Sequence, residues 1–223
     1  MTLLSEIQYF SPVILFKRAI DLSNVEFDIY DVYRKMSFRN RCVLAGGGGP
    51  VNLSIPLVEG RNQRRPLKEV RIDNKTNWQG QHWKTITSCY NRSPWFEFYK
   101  HDLEVLLQQR VEWLVDWNRR CWDWVVGKLG AEISTSYTDW GRGETGQATG
   151  FEPVLETLSQ ENFLDWRNRL MPRSIQQEFP EPVRYRQVFE DRLGFMPHLS
   201  ILDLLFCEGP ASVEILKSAK ISN

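Results

Sequence analysis

The sequence predicts an α/β fold: a mixed sheet opened by a βαβ unit and carrying a β-hairpin, flanked by a helical segment over residues 78–130 and by C-terminal helices. Three observations predict it. The first thirty residues read strand, helix, strand. Two alternating apolar runs flank a glycine-rich tip between residues 42 and 56. Apolar side chains then recur at helical spacing across residues 78–130.

Residues 3–9 form a short apolar run, Ser11-Pro12 starts a helix with proline at its first position, and residues 25–30 alternate apolar and polar. A βαβ unit takes ligands beyond the carboxyl ends of its strands, here residues 8–12 and 31–35. Cys42-Val43-Leu44-Ala45, Gly46-Gly47-Gly48-Gly49-Pro50 and Val51-Asn52-Leu53-Ser54-Ile55-Pro56 predict a hairpin with a flexible tip. The glycines lack the Lys-Ser/Thr pair and the following helix of a phosphate loop. Residues 67–72 alternate again and extend the sheet.

From Trp78 the pattern turns helical, with Asn77 as N-cap, Pro94 starting a new helix and Gly130 where a C-cap glycine belongs. Leu114, Trp117, Cys121 and Val125 make a buried stripe that Trp113, Trp122 and Trp124 broaden, and helical spacing favours packing over a sugar-binding aromatic ladder. Residues 131–137 predict a strand running into Gly141-Arg142-Gly143-Glu144-Thr145-Gly146. This is a literal GxGxxG, but Gly150 and Pro153 stand where the dinucleotide fingerprint needs a helix, so a surface loop is predicted. A helix over residues 153–170, a proline-rich spacer over 171–182 and a strand over 183–189 follow. An apolar helix over 199–206 breaks at Gly209-Pro210 and resumes to Lys217.

The 223 residues fit a single domain spanning 1–223, and 28 Lys and Arg balance 28 Asp and Glu, which excludes a globally basic nucleic-acid binder and disfavours disorder. No stretch approaches the roughly 20 apolar residues of a membrane helix. Cys42, Cys89, Cys121 and Cys207 lack a CxxC pair and suit reduced thiols in a cytoplasmic protein. The three histidines, His82, His101 and His198, have no ligand spacing, so no metal and no cofactor are expected.

The densest polar constellation is Arg34-Lys35-Met36-Ser37-Phe38-Arg39-Asn40-Arg41-Cys42, four cations without an acid. On an extended chain Arg39 and Arg41 share a face, and two guanidinium forks suit a phosphate or carboxylate; a solvated edge paired to carboxylates elsewhere is the alternative. Residues 61–71 read as an exposed loop with solvated charges. Cys42, beside the cations, is either a nucleophile or a small apolar strand residue, and His82 is either a general base or structural.

Ser37-Phe38-Arg39-Asn40-Arg41-Cys42, Gly49-Pro50 leading to Leu53-Ser54-Ile55-Pro56, Trp78-Gln79 with His82-Trp83, Ser93-Pro94-Trp95-Phe96 before Tyr99, Tyr185-Arg186-Gln187, and the run from Phe195-Met196-Pro197-His198 to Phe206 occur in the order and spacing of a known family. Together they resemble the WbqC-like protein family from about residue 3 to residue 216. The opening Gln-Pro-x-Tyr-Phe-Pro pattern of many relatives appears here only as Ile7-Gln8-Tyr9-Phe10-Ser11-Pro12, and residues 139–182 depart from the family pattern. The resemblance, joined to the cationic stretch, implies a bacterial transferase that moves an acyl or aminoacyl group, glycyl among them, onto an amino sugar in surface-polysaccharide (O-antigen-type) biosynthesis. Its partners would be a small-molecule acyl donor and a nucleotide sugar or glycan acceptor, with no nucleic acid and no membrane span. The family's recurring polar positions fall here on Arg39, Asn40, Arg41, His82, Tyr185, Gln187 and Asp203; joined to the reading of the residues, they make His82 the candidate base, Cys42 the reserve nucleophile, and Arg39, Asn40, Arg41, Tyr185, Gln187 and Asp203 the substrate-binding candidates. The competing expectation is a non-catalytic sugar-nucleotide or glycan-binding accessory protein. Single-stranded nucleic-acid binding, a third, is opposed by the zero net charge.

Overall fold

The computed structural model describes residues 1–138 and 162–221. It is mixed α/β, as expected. Strand β1 (Thr2–Ser5), helix α1 (Val13–Leu22) and strand β2 (Asn24–Phe27) form the predicted βαβ unit, with Leu3 opposite Val25 in parallel register. The hairpin is β3 (Arg41–Gly46) and β4 (Gly49–Ser54), paired antiparallel as a two-stranded sheet of its own.

Helices α2 (Trp78–Tyr90), α3 (Phe96–Gln108) and α4 (Leu114–Leu129) fill the predicted helical segment. Asn77 caps α2 by accepting from the Gly80 N–H, and Gly130 ends α4 in the left-handed conformation, φ 60°. Strand β5 (Ser134–Tyr137) joins β2 in parallel, and β6 (Phe163–Asp165) joins β1 in parallel. The short helices α5 (Ile175–Glu178) and α6 (Glu190–Leu193) precede α7 (Ile201–Glu208) and α8 (Ser212–Ser218).

Strand order in the larger sheet is therefore β5-β2-β1-β6, all parallel. The chain steps outward from β1 through β2 to β5, then returns to add β6 on the other side of β1. The topological switch falls between β1 and β6, where an open parallel sheet leaves a crevice at its carboxyl end.

Tryptophans of α4 bind the layers together. The Trp122 ring stacks on Phe16 of α1 at 4.6 Å and meets the edge of Phe27 on β2 at 4.8 Å, while its Nε1 donates to Thr135 Oγ1 at 3.0 Å. Trp117, fully buried, stands edge-on to Trp78 at 5.3 Å. The packing reading of the tryptophan stripe holds for these two, whereas Trp113 sits partly exposed before α4 under the Arg71 guanidinium.

Three expected elements differ. Residues 67–72 open with a 3-10 turn, Leu67–Glu69, because Leu67 and Val70 are buried three apart and Pro66 precedes them; only single bridges, Leu57 to Ile72 and Arg71 to Trp113, follow. The helix expected over 153–170 is contradicted in its described part, where Phe163–Asp165 is an edge strand with Leu164 opposite Leu3. Its earlier part and the GxGxxG stretch lie outside the described residues. Residues 183–189 are not a strand. Val183, Tyr185 and Gln187 are buried between exposed Arg184 and Arg186, so the alternation is real, but side chains take the place of a ladder: Gln187 bonds both backbone groups of Met196, and the Arg186 N–H donates to Glu208 Oε1.

Gly209 makes the break between α7 and α8 at φ 54°, and a Cβ there would overlap the Trp95 ring. Gly209→Ala combines positive-φ strain with overpacking and should cost about 2–4 kcal/mol of stability in urea denaturation. A loss under about 0.5 kcal/mol would mean that the break is not held against Trp95.

Candidate functional site

The loops at the carboxyl ends of the parallel strands carry a set of buried polar side chains. Asp28, immediately after β2, is fully buried and turns the chain: its Oδ1 accepts the backbone N–H of Tyr30 at 2.9 Å and of Asp31 at 3.0 Å. Its Oδ2 accepts from Arg167 Nη1, after β6, at 2.8 Å. Glu6, after β1, is fully buried and accepts from Gln8 Nε2 at 3.0 Å and from the Asn168 N–H at 2.9 Å. Isolated buried carboxylates are costly, and here each is met by a donor from the end of β6.

Of the two places where the βαβ unit was expected to receive a ligand, only the second is open. Residues 8–12 are buried under the C-terminal part of the chain: the Val13 N–H donates to the Leu199 carbonyl at 3.0 Å, the Ile201 N–H to the Ser11 carbonyl at 2.9 Å, and Ser200 Oγ to the Phe10 carbonyl at 2.8 Å. Residues 32–35, in contrast, line a crevice of about 500 Å³. One wall carries Arg34 and Lys35, the other Arg61 and Arg64, and Val32, Tyr33 and Met171 supply apolar surface between them.

Backbone pairing sets the two cationic segments side by side. The Tyr33 N–H donates to the Arg65 carbonyl at 2.8 Å, the Leu67 N–H to the Asp31 carbonyl at 2.9 Å, and Val32 bridges Pro66 antiparallel. The walls are thus fixed without ion pairs, and the four cations of the lining form none among the described residues. Among the described residues no carboxylate lines the crevice. Arg61 and Arg64 are exposed, as expected of residues 61–71, and they also line the crevice.

Of the site candidates, Arg39, Asn40 and Arg41 gather around Tyr33. The Tyr33 hydroxyl donates to Asn40 Oδ1 at 3.0 Å, and Asn40 Nδ2 donates to the Ile55 carbonyl at 2.9 Å. Burial raises the Tyr33 phenol above its ordinary range against the opposing pull of Arg39, Arg41 and Arg61. Arg39 is wholly buried and bonded to Asp31 and Asn168, whereas half-buried Arg41 directs Nη2 at Met36 Sδ, 3.5 Å away.

His82 and Cys42 lie apart from the crevice lining. Tyr9 OH lies 3.0 Å from His82 Nδ1, and a ring N–H bonded to the Ser54 carbonyl leaves Nδ1 to accept from that hydroxyl. Both ring nitrogens are engaged, and Trp78 packs edge-on at 5.1 Å. Cys42 is buried on β3, and burial pushes its thiol far above the ordinary range, so it is held protonated.

Tyr185, Gln187 and Asp203 form a third group. Asp203, fully buried in α7, accepts from Tyr90 OH at 2.7 Å and from Tyr185 OH at 2.8 Å, and Tyr90 OH also accepts the Ala45 N–H at 2.9 Å. This network ties hairpin, α2, α7 and the 183–197 segment together. Reasoning from sequence missed Glu6, Asp28, Asp31 and Asn168; a carboxylate directly after each of two apolar strands, Glu6 and Asp28, was the available signal.

Fold and site define an α/β protein with a four-stranded parallel sheet and a cationic crevice at its carboxyl end. The chain belongs to the WbqC-like protein family, whose sequence profile matches residues 8–215. It is 27% identical over 208 residues to the uncharacterized protein Rv1507c of Mycobacterium tuberculosis, covering 86% of this chain and 87% of that protein. No solved structure matches the chain significantly. No described helix is long and apolar enough to cross a membrane, and no group of metal-ligating side chains occurs among the described residues.

Burial lowers the His82 imidazole from 6.5 to about 4. The unfolded chain then binds a proton between these values that the folded chain refuses, so this contribution to stability is full above pH 6.5 and declines as pH falls toward 4. Asp203, raised by burial from 3.8 to about 6, acts oppositely: its folded form takes up the proton first, so acidification from pH 6 toward 3.8 adds stability. His82→Gln removes the first effect and keeps the second. Denaturation at pH 7 and pH 4.5 should show the variant losing less stability on acidification than the parent; identical losses would show that His82 titrates alike in both states.

Proposed function

We propose that the crevice binds the diphosphate of a nucleotide-activated amino sugar, and that the chain transfers an acyl or aminoacyl group, glycyl among the candidates, to that sugar's amine in bacterial surface-polysaccharide biosynthesis. The observation that carries the reading is the acid-free lining of Arg34, Lys35, Arg61 and Arg64 at the carboxyl end of a parallel sheet. Four cations within one crevice, without ion pairs among the described residues, create a local positive potential that the zero net charge of the chain conceals, and guanidinium forks match phosphate oxygens. A volume of about 500 Å³ lies within the range of small-molecule sites. Membership in the WbqC-like family supports the polysaccharide setting.

In the transfer the amine nitrogen attacks the acyl carbonyl carbon and forms the amide bond. The bond from that carbon to the donor's leaving group breaks, and the leaving group keeps the electron pair and takes up the proton that the amine releases. His82 and Cys42 are not on the crevice lining, which favours a second reading: a protein that binds the nucleotide sugar for a pathway enzyme.

Calorimetric titration with UDP-glucosamine, glucosamine 1-phosphate and glucosamine tests the binding. Affinity should fall in that order and weaken with added salt, because exposed charges are screened. The double substitution Arg34→Ala with Arg61→Ala should weaken UDP-glucosamine binding about 10-fold or more, at about 1–2 kcal/mol for charge-assisted contacts. Equal affinity for the charged and neutral sugars would remove the diphosphate site. Incubation of the UDP-glucosamine complex with acyl and glycyl thioesters, read by mass spectrometry, separates the readings: an amide product supports the transferase, and binding without product supports the accessory protein.

A further inference from the structure

The crevice lining comes from distant parts of the chain, and one buried side chain joins two of them, residues 31–35 and the loop that carries Met171. Arg39 Nη2 donates to Asp31 Oδ2 and, at 2.9 Å, to Asn168 Oδ1. Asp31 immediately precedes Val32 and Tyr33 beside the Arg34 and Lys35 wall; Asn168 stands three residues before Met171, on the apolar surface between the walls. Asn168 holds a left-handed backbone, φ 62°, a conformation that non-glycine residues keep only when their surroundings impose it. Its two restraints are the Arg39 bond and the bond from its N–H to Glu6 Oε2, at the end of β1. Glu6 Oε1 in turn lies 3.8 Å from Arg39 Nη1. The loops that follow β1, β2 and β6 therefore close on a single guanidinium at the switch point of the sheet.

We propose that Arg39 is the positioning residue of the crevice: it fixes the loop that carries Met171 against the wall of residues 32–35 and does not touch the ligand. A guanidinium with no exposed surface has no face to offer a diphosphate, so the bonds that it makes are its means of acting. One cation neutralises two buried carboxylates from different strand ends, and without it Glu6 and Asp31 would repel each other across the base of the crevice. Lysine keeps the charge but loses the planar fork that spans Asp31, Asn168 and Glu6. The inference rests on the reading that the crevice binds a diphosphate.

Two variants test it. Arg39→Lys keeps the charge, and Asn168→Gly keeps the left-handed backbone while removing the acceptor for Arg39. The readouts are amide hydrogen exchange without ligand, pyrophosphate titration and thermal unfolding. In both variants exchange should quicken about 10-fold in residues 31–35 and 166–171, the worth of one charge-assisted bond, while amides of β1 and β2 stay protected. Pyrophosphate affinity should fall about 10-fold in a protein that is still cooperatively folded. If Arg39→Lys does not fold, Asn168→Gly decides alone, since its glycine relieves backbone strain rather than adding any. Parental exchange in both loops, or parental pyrophosphate affinity in a variant whose loops have loosened, would overturn the role. A parent that does not bind pyrophosphate would sink the diphosphate reading instead, and the exchange comparison would still decide whether Arg39 holds the two loops together.

Discussion

The arrangement of this molecule turns on a buried arginine that three strand ends share. Placing the Arg39 guanidinium out of water is unfavourable unless carboxylates and acceptors surround it, and Asp31, Glu6 and Asn168 come from three separate loops. The requirement works in both directions. Arg39 holds the loops, and the fold holds Arg39: its carbonyl accepts from Asn118 Nδ2 of α4 at 2.8 Å, and the preceding Phe38 carbonyl accepts the Tyr9 N–H at 2.9 Å. A shift of α4 or of the chain after β1 would therefore be felt at the crevice.

Charge in this protein is divided between two tasks. Buried charge organises: Arg39 with Asp31 and Glu6, and Asp28 with Arg167, form the interior seam along the carboxyl ends of the sheet. Exposed charge along residues 34–35 and 61–64 has no carboxylate partner among the described residues, and backbone pairing sets these segments side by side. Ion pairs could have held the two segments, but they would have cancelled the local field. Main-chain hydrogen bonds hold them and leave the field intact.

Much of the architecture was legible because local chemistry and tertiary packing agree there. The βαβ unit, the glycine-tipped hairpin, the cap at Asn77 and the stop at Gly130 all carry their own signals, and the α4 tryptophans keep helical spacing. The illegible parts are those where another force mimics a familiar pattern. Residues 183–189 alternate because every second side chain is buried, yet their hydrogen bonds go to Glu208 and Met196 rather than to a neighbouring strand. Strand β6 has three residues and exists because β1 has a free edge, which no local pattern reveals. At the site, the cationic run of residues 34–41 was visible, but its division into crevice cations and a buried organiser was not. That division depends on where Asp31 and Asn168 lie in space.

The motifs that make the family resemblance recognisable are to a large extent the joints of the fold. His82 bonds Tyr9 after β1 and the Ser54 carbonyl at the end of β4; Asp203 gathers two tyrosine hydroxyls; Gln187 fastens Met196. Such residues are polar and buried, so a loss of partner at any of them leaves an unsatisfied group inside the protein, which is costly enough to restrict what can stand there without any direct role in chemistry. The crevice cations face water, where side chains are exchanged more freely, and their signal is an unbalanced charge run rather than a motif. Sequence similarity to this chain is thus informative first about architecture. Ligand chemistry is better read from the sign and placement of charge on the loops after β2 and around residues 61–64, because those charges touch whatever the crevice receives.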